Sequence, residues 1–305
     1  MPRVSIIIPT RDRPSLLKRA INSVLAQTFQ DFEVIVVDDC PVQNSDYVVR
    51  LFNDPRIKYI RHSQHSGGAV ARNTGIKSAV GDFIAFLDDD DEWLPTKLQK
   101  QVKALDSSGP AVGLVFCGIG LFDASGRLLK TKIHRDEGIV RPFGELLQKC
   151  FIWTSSVMMR RELKEKGGYF DVDFKKNQEW DLELRMARLT DFYSIKEMLV
   201  KINVLGDGEH MGGKKNLDNI ISGFETLIRK HYSEYLKQKR SLALRYFQLA
   251  DLYFEKGDFK KTRQNLYLSW KNQPLNFIYL KHLAIAFLAK KIYIKIKRHG
   301  FFHEI

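Results

Sequence analysis

The chain has 305 residues, 44% of them hydrophobic and 28% charged, a balance that suits a soluble globular protein and excludes a disordered or fibrous one. Its net charge of +13 is uneven: residues 216–305 carry 17 Lys and Arg against 7 Asp and Glu, or +10, which leaves +3 for the first 215 residues. Three scattered cysteines, Cys40, Cys117 and Cys150, are too few for a disulfide framework or a zinc site, and are read as small core residues of a protein from a reducing compartment.

Residues 4–8, Val-Ser-Ile-Ile-Ile, predict a buried strand, and only a strand, because the apolar run is too short for a secretory leader; a cytoplasmic protein is expected. Pro14 opens a helix in which Leu16, Leu17, Ala20, Ile21, Val24 and Leu25 recur at helical spacing. A second strand follows at residues 34–37, a helix around 47–52, and a third strand at 57–60. A helix at about 68–79 leads to a fourth strand at 82–87. This alternation predicts an α/β fold with a doubly wound, mostly parallel, Rossmann-like sheet and right-handed crossovers. Ligands of such sheets sit at the carboxyl ends of the strands.

Those ends are polar. The first strand runs into Pro9-Thr10-Arg11-Asp12, the second into Asp38-Asp39, and the fourth into Asp88-Asp89-Asp90-Asp91-Glu92-Trp93. Two carboxylates about 4 Å apart repel by roughly 4 kcal/mol at an effective dielectric near 20, so the acidic run calls for a cation, solvent or protonation. Hard oxygen donors suit Mg²⁺ or Mn²⁺ carrying a phosphate. The plainer reading is a solvated turn in which Asp91 caps the helix that Pro95 opens. Convergence of three polar strand ends on one sheet edge points to a nucleoside-diphosphate site.

The segments VSIIIPTRDR (4–13), VIVVDD (34–39), GGAVARNTG (67–75) and FLDDDDEW (86–93) together resemble the family 2 glycosyltransferases, which have the GT-A fold. The resemblance spans roughly residues 2–205. It implies an inverting enzyme in which Thr10 and Asp39 contact the nucleobase and Arg72 lies near the base or diphosphate. Asp12, Asp38, Asp88 and Asp89 belong to the same nucleotide-sugar site. Asp88 and Asp90 stand at the ends of the DXD motif, with Asp90 reaching a Mn²⁺ or Mg²⁺ ion; since Asp89 and Asp91 are also carboxylates, the register can shift by one.

Further on, Gly167-Gly168-Tyr169-Phe170-Asp171 and residues 177–185 look like the family's acceptor-side segment. The catalytic base then falls at Glu179, where the family more often has Asp. Asp181 competes for the role, although its spacing to Arg185 reads as a helix-surface ion pair. His210, among the glycines of residues 206–213, is either a metal ligand or an exposed loop histidine. Trp93, Trp153 and Trp180 either stack on a sugar or simply pack. His134 and Arg135 sit in a polar, hairpin-like stretch without a clear signal.

From residue 216 the pattern is helical throughout, dividing the chain into a 1–215 GT-A domain and a basic 216–305 region. Residues 250–259, with Pro274 downstream, look like one tetratricopeptide-type hairpin, which cannot bury its own faces and reads as an appendage packed on the catalytic domain. The apolar residues 283–289, bracketed by Lys281, His282, Lys290 and Lys291, are too short to span a bilayer. They suit either an anionic membrane surface or docking on protein.

The expected activity is metal-dependent transfer of a sugar from a nucleoside-diphosphate sugar, UDP favoured, to a hydroxyl of a glycan or glycolipid acceptor. Such an enzyme would serve cell-surface polysaccharide or glycoconjugate synthesis, in the cytoplasm or peripherally on the membrane. Two alternatives stand beside it. One is a nonenzymatic nucleotide-sugar or glycan-binding protein whose basic tail recruits a partner. The other, a sugar nucleotidyltransferase, calls for a glycine-rich phosphate loop that Pro9-Thr10-Arg11-Asp12-Arg13-Pro14 does not supply. No nucleic-acid partner is expected, because no recognised binding module accompanies the charge.

Overall fold

A computed structural model describes residues 1–42, 45–204 and 216–288. His210 and its glycine-rich segment, and Ala289, Lys290 and Lys291, lie outside the described residues. The chain divides into two compact units, Met1–Asp173 with Gln178–Lys214, and Phe174–Asn177 with Lys215–Ile305.

The first unit opens with β1 (Val4–Thr10), α1 (Pro14–Leu25), β2 (Phe32–Asp38), α2 (Asp46–Arg50), β3 (Ile57–Arg61), α3 (Gly68–Ser78) and β4 (Phe83–Phe86). The strands pair in parallel in the order β3-β2-β1-β4. Ile6, Ile7 and Ile8 are fully buried, as are Val34 to Val37, because α helices cover both faces of a sheet of this kind. Pro14 starts α1, whose Leu17, Ala20, Ile21 and Val24 form the buried face. On α3, a Cβ at Gly75 would fall 2.4 Å from Ile7 Cγ2, so only a glycine lets the helix lie this close to β1.

Beyond β4 come β5 (Asp91–Trp93), α4 (Lys97–Ser107), β6 (Val112–Phe122), β7 (Leu128–Lys132), β8 (Gly138–Val140), α5 (Phe143–Leu146), β9 (Met158–Arg160), α6 (Gln178–Met186) and β10 (Asp191–Asn203). They extend the same sheet as β4-β9-β6-β10-β5, with β9 antiparallel to both of its neighbours and β10 parallel to β6. The parallel, doubly wound half therefore agrees with the alternation read from the sequence, and the antiparallel pairings enlarge it. Asp91 departs from the plainer expectation. It is buried in β5 opposite Ile202, and the residue at the start of α4 is Thr96, so Asp91 neither caps that helix nor sits in a solvated turn.

The second unit contains α7 (Leu217–Lys230), α8 (Tyr232–Lys237), α9 (Lys239–Lys256), α10 (Phe259–Asn272) and α11 (Phe277–Leu288). Helices α9 and α10 form the hairpin expected near residues 250–259. Gly257, at φ 85°, ends α9, and the Asp258 side chain accepts the Lys261 N–H at 3.0 Å to begin α10. Ala243, Phe247, Ala250 and Leu266 pack with Tyr279 and Leu283 of α11. No described helix is long and apolar enough to cross a membrane.

Candidate active site

The carboxyl ends of β1, β2 and β4 and the start of α3 surround a cavity of about 130 Å³ lined by Thr10, Arg13, Asp39, Arg72 and Asp88 to Asp90. Its floor begins with Asp39, which is buried and accepts hydrogen bonds from His62 Nδ1 at 2.8 Å, His65 Nδ1 at 2.7 Å, Ser66 N at 2.9 Å and Gly67 N at 2.7 Å. Burial raises the pKa of this carboxyl, but the four donors outweigh it and hold the group below its ordinary value. Asp39 is thus an anion fixed in one orientation.

Asp38, expected beside it, is fully buried and does not line the cavity. Its oxygens accept from Cys40 N at 3.1 Å, Ser45 N at 2.9 Å and Tyr59 Oη at 2.7 Å, so it secures the loop after β2. Successive side chains of a strand point to opposite faces, which separates these adjacent aspartates. Asp12 also lies off the cavity wall: at φ 54° it turns the chain into α1 and accepts from Cys40 Sγ at 2.8 Å.

The four aspartates after β4 part company in the same way. Asp91 accepts the Ser155 hydroxyl inside the protein, and Ser155 Oγ also accepts the Asp88 N–H at 3.1 Å. Asp89, its side chain 8% exposed, accepts from Thr10 Oγ1 at 2.8 Å and Arg13 at 3.3 Å. Asp90 meets Arg13 at 3.0 Å, and Asp88 pairs with Arg72; these two side chains are more open, 19% and 32% exposed, and both face the cavity.

Burial pushes the Asp89 carboxyl up to about 6 against the Thr10 hydrogen bond, with the Asp90 charge adding to the rise. Asp90 is raised by burial and by Asp88. Arg72, buried itself, has an Nε donor without a hydrogen-bond acceptor. Crowded anions beside an unsatisfied guanidinium nitrogen suit a ligand that brings both a cation and phosphate oxygens. Among the described residues no three His, Cys, Asp or Glu side chains come together as a metal cage. Asp88 and Asp90 are the aspartates most open to the cavity, and two open carboxylates suit an ion whose other ligands are phosphate and water.

Glu179, at the start of α6, lines a narrower hollow with Phe86, Thr154, Phe170 and Glu183. Two links join it to the first cavity. The Arg72 guanidinium lies 5.4 Å from the centroid of the Phe170 ring, and its raised pKa reflects the charges of Asp88, Glu179 and Asp89 working against burial. Asp181 is fully buried, pairs with Arg185 at 2.8 Å, and lines neither cavity, while Arg185 also donates to the carbonyls of Gly167 and Tyr169. The expected ion pair is present, but inside the protein and not on the helix surface. Trp93 and Trp180 are buried and donate to the carbonyls of Ser155 and Leu146, which makes both of them packing residues. Sequence reasoning passed over His62, His65, Arg13 and Ser155, which hold the aspartates in place. Their only signal was position, just past β1 and β3 or shortly before β9.

A parallel half, a mixed extension and an acidic turn after β4 define the GT-A architecture. The chain belongs to glycosyl transferase family 2, whose profile matches residues 5–168. WcaA of Escherichia coli K12, a glycosyl transferase named for colanic acid biosynthesis, is 31% identical over 263 residues, covering 83% of this chain and 88% of WcaA. Against the uncharacterized glycosyltransferases of two Rickettsia species, 28% identical over 211 residues, the chain spans 64% of their length. Among solved structures, S. aureus TarS 1-349 in complex with UDP-GlcNAc superposes with a TM-score of 0.60 at 16% identity, over 99% of this chain and 93% of TarS 1-349. The mannosyltransferase PcManGT from Pyrobaculum calidifontis, in complex with GDP-Man and Mn²⁺, gives 0.60 at 18% identity over 97% and 83%. These two likenesses establish the fold.

Proposed function

We propose that the chain is an inverting glycosyltransferase that takes a sugar from a nucleoside-diphosphate sugar, UDP favoured, and passes it to a hydroxyl of a glycan or glycolipid acceptor. The observation that carries this reading is the gathering of Thr10, Asp39, Arg72, Asp88 and Asp90 on one cavity, with Glu179 across Arg72 from it. Asp39 is held ionised and oriented, and the imide N–H of uracil would take the place of the half-exposed His65, which now donates to Oδ2. Asp88 and Asp90 would hold a Mg²⁺ or Mn²⁺ ion, which supplies Lewis-acid stabilisation to the diphosphate. The likeness to structures carrying UDP-GlcNAc, and GDP-Man with Mn²⁺, supports this assignment. The relation to WcaA supports a role in cell-surface polysaccharide synthesis.

In the reaction, the acceptor oxygen forms a bond to the anomeric carbon on the face opposite the diphosphate. The bond from that carbon to the diphosphate oxygen breaks, and its electron pair leaves with the nucleoside diphosphate. Glu179 takes the hydroxyl proton as the new bond forms, and the anomeric centre inverts. Arg72 stabilises charge developing on the leaving oxygen. Glu179 is favoured over Asp181 as the base because Asp181 is already committed to Arg185.

The test is a panel of nucleotide sugars, scored for binding and for slow hydrolysis. Glu179→Gln should cut turnover by roughly 10² to 10⁴ and leave nucleotide-sugar affinity nearly unchanged. Undiminished turnover by the Gln variant would move the base elsewhere. Binding without turnover of any donor by the native chain would favour the nonenzymatic alternative.

A further inference from the structure

A second cavity, of about 450 Å³, lies between the β6–β7 hairpin and the segment after α5. Its lining is both aromatic and cationic. The rings of His134 and Phe151 stack with centroids 5.2 Å apart, and Lys132 Nζ stands 4.7 Å from the centroid of Trp153. Four cationic side chains, Lys130, Lys132, Arg135 and Lys149, face it against one carboxylate, Glu145.

That carboxylate is already engaged, by Lys149 at 3.1 Å and His134 at 3.4 Å, while Arg135 pairs with Asp136 at 3.2 Å. Lys130 and Lys132 have no carboxylate partner among the described residues. They are two apart on an exposed strand and line the same cavity, so their charges add on one side of it. The cavity also shares a wall with the hollow of Glu179. Trp153 lines the one and Thr154 the other, and the Cys150 thiol of the second cavity lies 3.7 Å from Glu183, one helical turn beyond Glu179.

We propose that this second cavity receives the acceptor, and that the acceptor is a phosphate-bearing sugar. Its ring packs against the Trp153 and Phe151 side chains that line the cavity, its phosphate pairs with Lys130 and Lys132, and its free hydroxyl points past Thr154 toward Glu179. An amphipathic sugar ring and an aromatic face suit one another, and paired lysines meet a dianion better than a single carboxylate. The inference rests on the reading of Glu179 as the base, since only that reading gives the shared wall a purpose.

The test is calorimetric titration of the full chain with a hexose 1-phosphate, a hexuronate, the neutral hexose and inorganic phosphate, each with and without saturating UDP and Mn²⁺. With UDP bound, the hexose 1-phosphate should bind at least about 10-fold more tightly than the hexuronate or the neutral sugar. The exposed double substitution Lys130→Ala/Lys132→Ala should lose about that factor and keep its UDP affinity. Trp153→Ala should weaken the hexose 1-phosphate and spare inorganic phosphate. Three results would overturn the proposal: unchanged affinity in the lysine variant, equal binding of the uncharged sugar, or no binding by the native chain at about 10 mM ligand, where even a millimolar complex would register. Binding that UDP abolishes and the lysine variant keeps would place the phosphate in the first cavity, which also overturns it. Failure of UDP itself to bind would count against uridine as the donor nucleotide alone, because the lysine comparison without UDP still decides the second cavity.

Discussion

Lys97 is fully buried on α4, its Nζ 3.8 Å from the centroid of the Trp93 ring and 2.6 Å from Gln101 Oε1. Burial pushes its pKa down to about 7, from an ordinary value of 10.5. Between those two values the unfolded chain holds a proton that the folded chain has released. Stability should therefore rise as pH climbs through that window, by at most about 1.4 kcal/mol per pH unit. Melting temperatures of the native chain and Lys97→Met, taken at pH 7 and pH 9, check this: native stability should gain on the variant at the higher pH, and a constant gap would show that Lys97 stays protonated. Nothing in the sequence marks this lysine, because a lysine in an amphipathic helix reads as solvated. Thr10, Asp39, Asp88 and Asp90, which line the first cavity, stand out in the sequence as polar residues after buried strands, whereas Arg72, on α3, was reached only through the family resemblance. Asp38 lies off the cavity wall because successive strand residues face opposite ways, and Asp12 because the chain turns there into α1. The division among Asp88 to Asp91 depends on Ser155 and Arg13, which come from elsewhere in the chain.

Among the elements, β1, β2 and β4 were readable because they are buried on both faces, and α1 because it keeps an apolar period. The later strands β5, β8 and β9 are three residues each, too short to show any period, and exist because longer strands offer them pairing edges. That dependence is why the acidic run looked like a turn and a helix cap when part of it is a strand. The contact of α3 with β1 is a local example of the same coupling, since Arg72 reaches the cavity from a helix that Gly75 seats on Ile7. Gly75→Ala should cost about 1 to 3 kcal/mol through overpacking, seen as a lower denaturant midpoint. An unchanged midpoint would mean that α3 shifts outward freely.

At the scale of the molecule, charge and chemistry are segregated. The first unit holds the strand ends, both cavities and Glu179, whereas +10 of the net +13 belongs to residues 216–305. The proposed function depends above all on the first cavity taking a nucleoside diphosphate together with a divalent ion. UDP titrated into the full chain in Mn²⁺ and in EDTA measures this directly. Affinity should be clearly higher in Mn²⁺, and Asp90→Ala should remove most of the difference, whereas a larger effect of Asp88→Ala would only exchange the two ligands' ranks. Equal affinity in Mn²⁺ and EDTA would contradict the metal-dependent nucleotide site.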